Sequence, residues 1–286
     1  MSPDLDAAKL KSATRALWDR HAKGWNDHGR QIGDWLREST DAMLRMAGIG
    51  PGMRVLDVAA GAGDQTLEIA RRVGPHGSVL ATDLSPAILA YAATKAREAG
   101  FDNVETVPAD GEDLKVGESR FDAAICRLGL MLFPNAGRGL QEMFRALRTG
   151  GSACTLVFST PDSNPCIGIL LSTALKHAGL PPRDPYQPGG LLSLGKPGLI
   201  DSLFREAGFV HVASTRLAAP FRLGSANDYL DFVRSSASPI VQILEGLDDT
   251  RRNAAWAEIE MRLGDFATDT GWEGPNELLL TIGRRP

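Results

Sequence analysis

Residues 55–66, VLDVAAGAGDQT, run from an apolar stretch into small residues and glycine, with a carboxylate on either side, Asp57 and Asp64. Gly61 and Gly63 permit positive φ and let a ligand come close to the backbone, and the helix that follows offers unpaired N–H donors in its first turn. A diphosphate would suit the same turn, and two spaced glycines are a weak signal alone. The acids point the other way: Asp57 and Asp64 repel a diphosphate and attract a ligand carrying an ammonium and a sulfonium. Thr66 also stands where the third glycine of a dinucleotide fingerprint belongs.

Two further carboxylates follow at the ends of apolar runs. Asp83, 20 residues after Gly63, is placed to accept both hydroxyls of a ribose. Asp110, in PADGEDL, is placed to accept an adenine amino group, with the N–H of Gly111 facing a ring nitrogen. S-adenosylmethionine matches this pattern of charge and acceptors. NAD enzymes also carry an acid at the position of Asp83, so an NAD(P)-dependent oxidoreductase is the alternative reading, disfavoured by Thr66 and Asp110. No CxxC pair or His/Cys spacing suits a metal.

These residues need elements to hold them. MRVLDVAA reads as a buried strand, DQTLEIARRV as a helix, GSVLATDL as a strand and SPAILAYAATKAREAG as a helix that Ser85 caps, Pro86 opens and Gly100 ends. VETVPAD, FDAAICRLG and SACTLVFS are further strands, with GLQEMFRALRTGG a helix before the last of them. Such alternation predicts an α/β fold, a Rossmann-like and mostly parallel sheet with helices on both faces. A helical arm precedes it, with Leu10, Ala13 and Leu17 on one stripe, then Trp18, Ala22 and Trp25, then Ile32, Trp35, Leu36 and Met43. The expected organisation is an arm or lid over 1–50, a cofactor-binding core over 51–160, an inserted cap or substrate loop over 161–196, and the rest of the sheet over 197–286. That last part carries a helical cap insertion at about 225–270.

The bulk numbers bound the function. The chain has 286 residues and a formal charge of −4, giving no basic field for nucleic acid, and no apolar run of membrane-spanning length. The charged and small residues after Met1 do not read as a secretion signal, and three cysteines, Cys126, Cys154 and Cys166, fit a reducing cytoplasm.

The motifs VLDVAAGAGDQT, VLATDLSPAIL, VPADGEDL, FDAAICRLGLMLFPN and ALRTGG, in this order over about Met53 to Ser159, resemble those of the class I S-adenosylmethionine-dependent methyltransferases, in the branch of the ubiquinone/menaquinone C-methyltransferases. The resemblance implies a seven-stranded sheet whose last strand, NELLLTIG, is antiparallel. It implies that the turn at Gly61 and Gly63 holds the methionine end and that Thr66 lies near its carboxylate. It places Asp83, with Leu84 beside it, at the ribose, Asp110 and Gly111 around the adenine, and the backbone of Cys126 and Arg127 at the methionine amino group. Position 111, commonly alanine in that family, is glycine here. Residues 1–50 and 160–275 match the quinone enzymes poorly, so the acceptor does not carry over.

The expected function is methyl transfer to a small molecule, on oxygen or carbon, with an aromatic or quinone-like acceptor among the candidates. A non-catalytic S-adenosylmethionine-binding protein is a third reading. Trp18, Trp25 and Trp35 are candidates for an aromatic acceptor site under the arm, though core packing is the commoner role for aromatics at helical spacing. His21, His28 and His177 are the candidate bases, since a neutral imidazole can take a proton from an acceptor. Arg127 and Arg183 are candidate attractors of an acidic acceptor. The tryptophan-bearing arm suits packing on a second copy as well as on its own domain, which leaves a homodimer open.

Overall fold

In the computed structural model, which describes residues 3–236 and 239–286, the arm is two helices, α1 (Pro3–Asp27) and α2 (Gly29–Met46). They part at His28, whose φ of −88° and ψ of 9° interrupt the regular helix. Positions 1, 2, 237 and 238, two in the expected arm and two in the expected late helical insertion, lie outside the described residues. Next come β1 (Arg54–Val58), α3 (Asp64–Val73), β2 (Ser78–Asp83), α4 (Pro86–Glu98), β3 (Val104–Pro108), β4 (Phe121–Arg127), α5 (Ala136–Ala146) and β5 (Leu147–Phe158). The remainder holds α6 (Pro165–His177), α7 (Leu199–Glu206), β6 (Val210–Ala218), β7 (Phe221–Leu223), α8 (Ala226–Ser235), α9 (Pro239–Glu245) and α10 (Asp249–Leu263). It ends in β8 (Ala267–Thr268), β9 (Gly271–Gly274) and β10 (Glu277–Arg284).

Seven strands form one sheet in the order β3-β2-β1-β4-β5-β10-β6. The first five pair in parallel and β10 runs antiparallel to both β5 and β6, as the resemblance implied. Central strands read as unbroken apolar runs because helices cover both faces: Val55, Leu56 and Val58 of β1 and Ala123, Ala124, Ile125 and Cys126 of β4 are buried. Helix α2 closes one side with Ile32, Leu36, Met43 and Leu44, all fully buried, each worth about 1.5–3 kcal/mol by transfer. Strand order reverses between β1 and β4, and this opens a crevice at the carboxyl ends of those strands. Among the described residues no helix is long and apolar enough to cross a membrane.

Four features differ from the sequence expectation. The expected helix through Gly151 stops at Ala146, because Leu147 pairs with Phe121 and the chain is already in β5. The expected cap loop contains a helix, α6, opened by Pro165 at its first turn. Asn164 ties that helix start to the sheet: its Nδ2 donates to the Thr160 carbonyl at 2.9 Å and its Oδ1 accepts from the Glu277 N–H at 3.1 Å. A second sheet, β7-β9-β8, was not expected. In α1, Leu17 is buried but Leu10 and Ala13 are exposed, so that part of the stripe is not core.

Candidate functional site

The crevice leads into a cavity walled by the ends of β1, β2, β3 and β4 and covered by α1. Of the residues expected at a cofactor, Gly61, Asp83, Leu84, Asp110, Gly111 and Arg127 line it, and Asp57, Gly63, Thr66 and Cys126 do not. Gly61 and Gly63 have φ of 57° and 89°, as the turn requires. Only Gly61 faces the cavity; a Cβ on Gly63 would lie 2.7 Å from the Ala92 Cβ, so this glycine lets α4 pack closely. Two residues with side chains adopt the same left-handed region, Ala59 at 56° and Leu128 at 58°, one after β1 and one after β4. Both line the cavity. Strain of this kind gathers at functional sites, and neither residue type signals it in sequence.

The two acids around the glycine turn do not face the cavity, which corrects the electrostatic reading of the sequence. Asp57 is fully buried and accepts from Thr66 Oγ1 at 2.7 Å and from Gln65 Nε2. Thr66 is therefore committed to Asp57. Burial raises the Asp57 pKa to about 6 against the pull of these donors. Asp64 pairs with Lys95 at 3.2 Å and with Arg127 at 3.6 Å. The Arg127 guanidinium also donates to Thr40 Oγ1 of α2 at 2.9 Å, so this cation braces helices and is not a free attractor for an anion.

Asp83 carries the carboxylate that remains available. Its Oδ2 accepts from the Gly61 N–H and its Oδ1 from the Ser85 N–H, each at 2.9 Å. A carboxylate has about four acceptor positions, so two stay open toward the cavity. Burial pushes its pKa up to about 6, although the backbone donors of Ser85, Gly61 and Leu84 oppose it. Gln65, which the sequence reading passed over, supplies a second open acceptor. Its Nε2 is held by Asp57, which leaves Oε1 buried without a partner in a side chain that lines the cavity.

Helix α1 closes the other wall. Lys11 Nζ lies 2.7 Å from both Asp110 Oδ2 and Glu112 Oε2. Burial works against the Lys11 charge, but the hydrogen bonds to Asp110 and Glu112 prevail and raise its pKa. One helical turn and more further on, Asp19 Oδ1 accepts from Ser85 Oγ at 2.5 Å, beside Asp83. The Lys11–Asp110 pair joins residues 99 apart in the chain, and no local pattern marks it. Opposite α1, Gly111 is required: a Cβ there would lie 2.2 Å from Phe133 Cζ. That ring explains why glycine stands where the similar family commonly has alanine.

A second cavity adjoins the first, and Trp18, Trp25, Leu128 and Leu132 line both. Its wall is aromatic. Trp35 stacks on Phe221 at 3.9 Å between centroids, Trp25 meets Trp18 edge-on at 5.3 Å, and Tyr229 stacks on Trp272 at 5.0 Å. All three arm tryptophans therefore face this space and also pack on the core.

The candidate bases are elsewhere. His21 Nε2 is 3.2 Å from Glu245, His177 Nε2 is 2.9 Å from Glu258, and His28 Nδ1 is 2.9 Å from the Gly24 carbonyl. None of the three lines either cavity. Each histidine bonds across a helix–helix junction or its own helix end, which accounts for it structurally. Cys126 is fully buried, with its thiol pushed up to about 12 by burial and by Asp57; its neighbours Arg127, Leu128 and Gly129 line the cavity in its place. Arg183 lies at neither cavity but in a groove beside them, lined also by Leu10 and Trp18.

With this geometry in hand, known proteins were compared. Residues 34–169 match the model of the ubiE/COQ5 methyltransferase family. The ubiquinone/menaquinone biosynthesis C-methyltransferase UbiE of Idiomarina loihiensis is 37% identical over 130 residues, 45% of this chain and 50% of that protein. The chain thus spans about half the length of the curated relatives it matches. In fold, the YcgJ protein of Bacillus subtilis superposes with a TM-score of 0.59 at 18% identity, covering 87% of this chain and 98% of that one. Phosphoethanolamine N-methyltransferase 2 of Haemonchus contortus, solved with phosphomonomethylethanolamine and S-adenosylhomocysteine, gives 0.60 at 14% identity, covering 96% and 60%. The chain has the fold of the class I S-adenosylmethionine-dependent methyltransferases and, over residues 34–169, is similar to their ubiE/COQ5 family.

Proposed function

We propose that this protein is an S-adenosylmethionine-dependent methyltransferase acting on a small, largely apolar acceptor. The observation that carries the reading is the pair of cavities meeting at Trp18, Trp25, Leu128 and Leu132, one with open hydrogen-bond acceptors and the other aromatic. The residues of the first fit the cofactor. Asp83 has two open acceptor positions for ribose hydroxyls, with Leu84 beside it. Asp110 and Gly111 frame the adenine end, and the orphaned Gln65 Oε1, together with the backbone at Arg127 and Leu128, suits the methionine ammonium.

Bound there, the cofactor supplies an activated methyl group on a sulfonium. The protein's own work is to orient the acceptor and exclude water. No histidine reaches the cavities, so alignment supplies the catalysis, and α1, α2, α6 and α8 serve as the lid and cap. A nicotinamide dinucleotide fits less well: Gly63 is covered by Ala92 and both nearby cations, Lys11 and Arg127, are already paired with carboxylates.

The test is incubation of the full chain with methyl-labelled S-adenosylmethionine and a panel of phenols, quinols, amines and carboxylic acids. The expected result is label on a ring-bearing, uncharged member. Binding of S-adenosylhomocysteine with no label on any member would overturn the enzymatic reading in favour of a non-catalytic binding protein.

A further inference from the structure

The aromatic cavity contains one polar group with no assigned task. Among its lining residues the Trp35 indole N–H donates to the Ala219 carbonyl at 2.7 Å and Ser236 Oγ donates to the Val233 carbonyl at 2.8 Å. Tyr229 is 4% exposed and its ring is fixed between Trp272 and Phe221, at centroid distances of 5.0 and 5.1 Å. Its hydroxyl has no hydrogen-bond partner among the described residues. Buried tyrosine hydroxyls ordinarily find a partner, and one left open toward a cavity is a group waiting for a ligand. No Asp, Glu, Lys, Arg or His among the described residues lines this cavity. An ammonium or a phosphate would enter it without a counter-charge, at a large desolvation cost.

Resting on the methyltransferase reading, we infer that Tyr229 anchors the acceptor by donating a hydrogen bond to an oxygen on a flat, uncharged ring system. This hydroxyl is what makes an otherwise apolar cavity select among such rings. Burial raises the Tyr229 pKa, so at neutral pH the phenol keeps its proton and acts as a donor, not a base. Tyr229 lies on α8, outside the residues matched by the family model, in a segment that belongs to this chain's own cap. Its partner in the ligand is a phenolic, enolic or quinone oxygen.

The test compares wild type with Tyr229→Phe, which keeps the ring stacked on Trp272 and removes only the hydroxyl. Four probes of one shape are titrated, with and without S-adenosylhomocysteine: 1-naphthol, 1-methylnaphthalene, 1-naphthoate and 1-naphthylmethylammonium. Wild type is expected to bind 1-naphthol most tightly. The variant is expected to lose roughly 3- to 10-fold for 1-naphthol alone, the worth of one net hydrogen bond, with 1-methylnaphthalene and S-adenosylhomocysteine unchanged. An unchanged 1-naphthol affinity, an equal loss for 1-methylnaphthalene, or tighter binding of either charged probe would overturn the inference. Failure of S-adenosylhomocysteine to bind wild type would instead overturn the methyltransferase reading, and the naphthol comparison without it would still decide the role of Tyr229.

Discussion

Replacing Gly111 by alanine adds one methyl group at the point where the cofactor cavity meets Phe133. The new Cβ would lie 2.2 Å from Cζ and 2.4 Å from Cε2 of that ring, whereas ordinary contacts between carbons are about 3.5–4.0 Å. The ring must therefore move by more than an ångström. It has little room, because it also fills the space beside Gly139, where a Cβ would lie 2.6 Å from Phe133 Cδ2. Overpacking of this kind costs about 1–3 kcal/mol, which for a chain of this size lowers Tm by roughly 2–4 °C per kcal/mol. Moving the ring also disturbs the backbone at Asp110 and Gly111, so affinity for S-adenosylhomocysteine should fall with stability. Shortening the ring in the double variant Gly111→Ala, Phe133→Leu should recover part of both losses, a favourable coupling that a double-mutant cycle reads directly. Thermal unfolding and calorimetric titration on the four proteins provide the measurement. Wild-type stability in Gly111→Ala, or additive losses in the double variant, would refute the argument that Phe133 dictates glycine here.

Further expectations concern the other cavity residues. Asp83→Asn removes at least one charge-assisted hydrogen bond to the ribose, worth about 1.5–3 kcal/mol, so the Kd for S-adenosylhomocysteine should rise roughly 10- to 150-fold; an unchanged Kd places the ribose elsewhere. The same variant tests the pH dependence. The Asp83 pKa is raised to about 6 from 3.8, so the folded protein binds a proton that the unfolded chain releases, and this group's contribution falls as pH rises from about 4 to 6. The stability of Asp83→Asn relative to wild type should therefore grow over that window, by up to about 3 kcal/mol, and denaturant titrations showing the reverse trend would contradict the burial of the carboxylate. Lys11→Met unlatches α1 from Asp110 and Glu112, and amide exchange in α1 should quicken by about tenfold, as loss of one charged hydrogen bond implies; unchanged protection would mean that packing alone holds the arm.

What the sequence made legible was what is local. The strand–turn–helix at Gly61, the carboxylates at the ends of β2 and β3, and the capping residues Ser85 and Pro86 each carry a signal within a few positions. Asp57 shows the limit. A parallel strand is buried on both faces, so its apolar run does not say which side chains face the crevice, and Asp57 turned out to hold Gln65 and Thr66 from beneath. The acceptor cavity was not legible because it is assembled from Trp25 of α1, Trp35 of α2, Leu128 after β4 and Tyr229 of α8, segments that only tertiary packing brings together. The same is true of Lys11 and Asp110. The histidines misled because an imidazole in a helical segment looks the same whether it meets a substrate or, like His177, a glutamate on the next helix.

The central claim is that the cavity at the carboxyl ends of β1 and β4 is built for an adenosyl sulfonium donor. Calorimetric titration of the full chain with S-adenosylmethionine, S-adenosylhomocysteine, NAD and NADP tests it most directly. The account predicts saturable binding of the first two at one site per chain, weakened in Asp83→Asn. Tight binding of a nicotinamide dinucleotide with no heat from either sulfur compound would contradict it.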